Sequence, residues 1–197
     1  AQMATAAIVK ASEMTGNASL GAMTAVAFAS SEATNCCGKS RLVLSANPEK
    51  AGDIEEYLDR FHQKGFISDL EEGKTQPEDF YRECLRHSRP GTSLETVRYC
   101  FCSLLDGLEE DSLDLIRSLK GRYPLYVLSN NNPISRAYFC EMLKKNGLDP
   151  AETFAKEFYS YELKMLKPSR EIYEKVIAEI GLKPEEILFI DDAKDNI

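Results

Sequence analysis

The stretch YPLYVLSNNNPISRAYFCEMLKKNG, residues 123–147, reads as a strand, a turn and a helix in immediate succession. Its first seven residues are a short apolar run, the composition of a buried strand. Three asparagines then break the run, Pro133 opens a helix and Gly147 closes it. The same rhythm continues downstream. EFYSYE (157–162) is a short strand, PSREIYEKVIAEIG (168–181) a helix closed by Gly181, and EILFID (186–191) another strand. Within that second helix Ile172, Val176, Ile177 and Ile180 share the inward face. Strand, helix, strand, helix, strand with short connections predicts a parallel sheet covered by helices, an α/β fold.

Upstream the pattern is helical. DIEEYLDRFHQKGF (53–66), KTQPEDFYRECLRH (74–87), SLETVRYCFCSLL (93–105) and EEDSLDLIRSLK (109–120) each space apolar residues at helical intervals. Residues 1–50 differ again: rich in Ala, Ser and Thr, weakly periodic, with no aspartate before Asp53. AVAFA (25–29) is the best candidate there for a first strand, and RLVLS (41–45) is a second apolar patch. The division read from the chain is an atypical segment at 1–50, a helical block at 51–110 and an α/β core at 111–197.

At 197 residues, 43% hydrophobic and 28% charged, the chain has the composition of a soluble globular protein. A net charge of −8 argues against a broad nucleic-acid surface. No apolar run approaches the roughly 18 residues that a membrane helix needs. Lys10 and Glu13 interrupt the small-residue stretch at the start, so it does not read as a signal peptide. The six cysteines (Cys36, Cys37, Cys84, Cys100, Cys102, Cys140) form no CxxC pair and have no paired histidine ligands. They read as reduced thiols, and the expected compartment is the cytoplasm. His62 and His87 fall in the helical block and read as surface residues.

In parallel sheets ligands gather at the carboxyl ends of the strands. The first such end carries Ser129 and Asn130, with Asn132 placed to cap the next helix and Pro133 at its first position. A hydroxyl, an amide and free N–H groups at a helix start suit an anion such as phosphate, though Ser and Asn also favour plain turns. The second leads to Lys167, held out of the helix by Pro168, with Lys164 as a neighbouring candidate. The third carries Asp191 and Asp192, with Asn196 beyond. Adjacent carboxylates repel each other, and a hard cation such as Mg²⁺ relieves the repulsion while keeping several waters.

Hydroxyl, lysine and paired aspartates on three successive strand ends resemble the haloacid dehalogenase-like hydrolase superfamily, over about residues 51–197. YPLYVLSNNNPISRAYFCEML is similar to its second motif, MLKPSREIYEKVI to its third and LFIDDAKDN to its fourth. The resemblance implies a Rossmann-like core with a small helical cap, the block at 51–110. It implies Ser129, Asn130 and Lys167 on a substrate phosphate, Lys167 also as a catalytic residue, and Mg²⁺ as cofactor. Asp192 would then be the direct metal ligand and Asp191 would act through water or hydrogen bonds. The implied reaction is hydrolysis of a small phosphorylated metabolite, a phosphate monoester of the sugar-phosphate type, through an aspartyl-phosphate. Dehalogenation fits less well, because acidic metal ligands serve phosphoryl rather than alkyl transfer.

Two parts of the family's pattern are missing. Its nucleophile belongs to a D-x-D motif ahead of the cap, and residues 1–50 hold no aspartate. If AVAFA is the first strand, Ser30, Ser31 and Glu32 follow it. A glutamate there would displace the attacking oxygen by about 1 Å, which costs about 10²-fold. The family's last strand would lie beyond Ile197. The expectation is a partial member that is inactive or severely impaired, with a non-catalytic phosphate and Mg²⁺ module as the alternative. ATNCCGKS (33–40) also fits a loose nucleotide loop, but Ala33 replaces the first glycine and RLVLS follows as strand where a helix is required.

Overall fold

The computed structural model describes residues 5–10, 65–88, 90–102, 108, 110–191 and 194–197. The proposed first strand at 25–29, most of the helix at 53–66, His62, the 33–40 loop and Asp192 lie outside the described residues. Four strands form one sheet: β1 (Thr5–Lys10), β2 (Leu125–Ser129), β3 (Lys156–Tyr159) and β4 (Ile187–Phe189), in the order β3-β2-β1-β4. β2 and β3 are parallel, with Ser129 opposite Tyr159. β1 runs antiparallel to both β2 and β4, placing Thr5 opposite Ser129 and Lys10 opposite Ile187. The sequence pattern did not assign this strand, and its direction departs from an all-parallel sheet.

The expected helices on the sheet form. α5 (Pro133–Lys145) starts from Asn132, whose side chain accepts the Ser135 N–H, and has Pro133 in its first turn. α8 (Arg170–Ile180) ends at Gly181 with φ of 73°, the left-handed conformation that a glycine adopts without steric cost. The short helices α6 (Pro150–Thr153) and α7 (Ser160–Leu163) flank β3. The expected strand 157–162 therefore stops at Tyr159 and turns into a helical turn at Ser160. Before β2 come α1 (Gly65–Glu71), α2 (Pro77–His87), α3 (Leu94–Cys102) and α4 (Glu110–Leu119).

Apolar side chains form three clusters, two of them set by side-chain alternation along β2. Leu125 and Val127 pack with Leu113, Ile116, Phe139, Leu143 and Tyr159, joining one sheet face to α4 and α5. Leu128 packs with Phe158, Ile172 and Val176, joining the opposite face to α8. Burial on both faces explains why the strand reads as a continuous apolar run. The third cluster joins Ile67, Leu70, Phe80, Cys84, Val97 and Cys102 of α1–α3 to Ile134 of α5. Among the described residues no helix is long and apolar enough to cross a membrane.

Candidate functional site

Ser129, the last residue of β2, is fully buried. Beyond it Asn130 turns both ends of its amide onto the backbone of Lys167. Its Nδ2 donates to the Lys167 carbonyl at 2.9 Å, and its Oδ1 accepts the Lys167 N–H at 2.8 Å. This clamp joins chain segments 37 residues apart and engages both the amide nitrogen and the amide oxygen of the side chain. Asn130 can then offer an anion its backbone N–H, while its amide holds the lysine in place.

Lys167 itself is 1% exposed. Its Nζ donates to Asp191 Oδ2 at 2.5 Å, and both side chains are fully withdrawn from solvent. A buried ion pair holds only when its remaining valences are met. Asp191 Oδ1 accepts from Asn196 Nδ2 at 2.9 Å, and the Asn196 carbonyl accepts from the Tyr173 hydroxyl at 2.9 Å. Burial, and after it the charge of Asp191, push the Tyr173 phenol above its usual range. Lys167 Nζ also lies 5.8 Å from the centre of the Phe189 ring. The other lysine raised by the sequence, Lys164, points elsewhere: its Nζ donates to the Gly73 carbonyl at 2.5 Å. Of the residues singled out, the structure therefore brings Ser129, Asn130, Lys167, Asp191 and Asn196 into one connected group.

A third segment supports this group. Asn131 is 1% exposed, and its Oδ1 accepts the Asn132 N–H at 2.7 Å. The Asn131 N–H donates to Ser160 Oγ at 2.9 Å. Ser160 and Gly73 were not singled out from sequence, where a serine within an apparent strand and a glycine after EE carry no special signal. Gly73 has φ of +63°, and a Cβ there would run into the Tyr161 carbonyl and the Lys164 ammonium. Gly73→Ala is expected to cost about 1–3 kcal/mol, seen as a lower Tm; an unchanged Tm would show that the contact yields without penalty.

The structure thus sets a buried lysine–aspartate pair behind the Ser129–Asn130 turn, beside the ends of β2 and β4. The model of the haloacid dehalogenase-like hydrolase family matches residues 54–197. This chain belongs to that family. D-ribitol-5-phosphate phosphatase of Bacteroides thetaiotaomicron is 30% identical over 146 residues, 74% of this chain and 71% of the relative. Among solved structures, a predicted HAD-like family hydrolase of Porphyromonas gingivalis aligns with a TM-score of 0.66 and 30% identity, covering 83% of this chain and 76% of that one. A HAD family enzyme of B. thetaiotaomicron aligns with a TM-score of 0.68 and 25% identity, covering 82% and 76%. That enzyme was solved as an aspartate-to-alanine mutant in complex with magnesium and inorganic phosphate.

Proposed function

We propose that this site binds the phosphate of a small phosphorylated metabolite, of the polyol- or sugar-phosphate class, together with Mg²⁺, and turns it over poorly or not at all. The observation that carries the binding half is the buried Lys167–Asp191 pair, locked to the Ser129–Asn130 turn through the Asn130 clamp. Within it Ser129 offers a hydroxyl, Asn130 a backbone N–H and Lys167 a fixed positive charge, donors suited to phosphate oxygens. The helices at about 51–110 would form the cap that encloses the rest of the ligand. The relative's activity on a phosphorylated sugar alcohol supports the ligand class.

Among the described residues no cluster of acidic, histidine or cysteine side chains forms a metal site, so the magnesium reading rests on the adjacent Asp191 and Asp192 of the sequence and on the relatives solved with magnesium. Mg²⁺ is commonly held by one or two carboxylates together with substrate phosphate oxygens, the remaining positions being water. Both oxygens of Asp191 are engaged by Lys167 and Asn196, which leaves it suited to an indirect role. Asp192 would be the direct ligand. Bound there, the ion would screen the charge of the phosphoryl group.

The poor turnover that we propose is supported by the composition of the residues ahead of the cap. β1 lies between β2 and β4, and its sequence TAAIVK contains no aspartate or glutamate. Residues 1–52 hold no aspartate that could serve as the family's nucleophile. The aspartate-to-alanine relative that still holds magnesium and phosphate supports binding that survives the loss of an aspartate. Titration calorimetry with Mg²⁺ present should show saturable binding of inorganic phosphate and of D-ribitol 5-phosphate. Hydrolysis of p-nitrophenyl phosphate should match the enzyme-free control. No binding of either ligand would sink the proposal, and turnover abolished by Asp192→Ala would overturn its inactive half.

A further inference from the structure

The hydroxyl of Ser160 touches both the helical layer and the loop after β2. Ser160 is fully buried where β3 turns into α7. A serine hydroxyl has one proton to donate and two lone pairs to accept with. Its proton goes to the Glu71 carbonyl at 2.6 Å, at the C-terminal end of α1 and 89 residues away in sequence. Carbonyls in a helix's last turn lack intrahelical donors, so this bond satisfies a group that needs one. The oxygen accepts the Asn131 N–H at 2.9 Å, and the Asn131 carbonyl lies at 3.1 Å as a longer competitor for the proton.

Four residues on, a second tie reaches the same end of α1. Lys164 has φ of 58°, a conformation unfavourable to a residue with a Cβ, and its Nζ donates to the Gly73 carbonyl. Gly73 lies close enough to Tyr161 that no side chain fits between them. From Asn131 the connection passes to Asn130, then through its clamp to Lys167 and Asp191. The two ties differ in reach: Lys164 ends at the helical layer, whereas Ser160 continues into the loop.

We propose that Ser160 is a positioning residue whose hydroxyl fixes α1 of the helical layer relative to the Asn130–Asn132 loop, so that a ligand gripped by both meets them already spaced. The spacing is a property of the ligand-free chain; its effect on a ligand rests on the phosphate-binding reading above. Amide hydrogen exchange by mass spectrometry on the full chain separates the two. Ser160→Ala should speed exchange about tenfold in residues 66–73 and 129–132 together, with α8 at the wild-type rate. Ser160→Thr, which keeps the hydroxyl, should restore both segments. Lys164→Met, at an exposed position, should loosen 66–73 alone. The proposal is overturned if Ser160→Ala leaves either segment unchanged, or if it speeds α8 equally, which would mark general destabilisation. Adding inorganic phosphate with Mg²⁺ should protect both segments in the wild type and only 129–132 in Ser160→Ala; protection of both in that variant overturns the coupling. If phosphate protects neither segment in the wild type, the phosphate reading fails while the ligand-free rates still decide the role of Ser160.

Discussion

Lys167→Met is expected to lower stability by about 3–5 kcal/mol and to abolish phosphate binding. The reason lies in what remains. Removing the ammonium leaves Asp191, which is 8% exposed, with its charge and without the cation 2.5 Å away. Water cannot replace that partner where both side chains are fully withdrawn from solvent. Urea unfolding should show a lower midpoint with an unchanged slope, the signature of lost stability without a change in compactness. The double variant Lys167→Met/Asp191→Leu should regain most of the loss, because an apolar pair of similar volume is often as stable as a buried ion pair. Its phosphate binding should stay at zero. A single-variant loss under about 1 kcal/mol, the range of an exposed pair, would show that the ion pair is not desolvated. Recovery of phosphate binding in the double variant would remove Lys167 from the ligand site.

The elements legible in sequence are those whose boundaries are set locally. Pro133 and Gly147 bracket α5, and Gly181 ends α8, because proline and glycine act on the backbone at their own positions. β2 was legible because both its faces are buried, giving an unbroken apolar run. β1 was not, since its pairing with β2 joins residues more than a hundred positions apart, which no local pattern encodes. In the site, Ser129, Asn130, Lys167 and Asp191 stood out as polar residues at element ends. Which lysine meets an aspartate did not: Lys164 and Lys167 differ by three positions, and the partners of each lie 91 and 24 residues away. The role of the Asn130 side chain was hidden for the same reason. Its amide holds Lys167 through contacts that no local pattern encodes, and Ser160 reaches the helical layer in the same way.

Phe80→Ala is expected to cost about 3–5 kcal/mol, concentrated in α1–α3. Phe80 is 2% exposed, and its ring centre lies 5.7 Å from that of Phe66 and 4.7 Å from that of Phe101. Truncation removes the ring from the middle of the cluster and leaves a cavity that its neighbours fill only partly. Phe80→Leu, closer in volume, should lose less than half as much. The same cluster includes Ile134 and is packed by Tyr138, both on α5, whose first turn begins at the Asn132 cap. The layer therefore rests on the helix that leads out of the candidate phosphate loop. If the layer acts as a cap over the organic part of the ligand, Phe80→Ala should weaken D-ribitol 5-phosphate binding more than inorganic phosphate binding, because the Lys167–Asp191 pair stands outside this cluster. Equal weakening of both would place the damage in α5 and the loop rather than in an enclosing cap. Calorimetric titration of both ligands against the two variants, at matched fractions folded, distinguishes these outcomes. The contrast depends on two packing units that share one helix: the apolar cluster sets how α5 is held from above, while the Asn130 clamp and the buried ion pair set where its N-terminal loop lies.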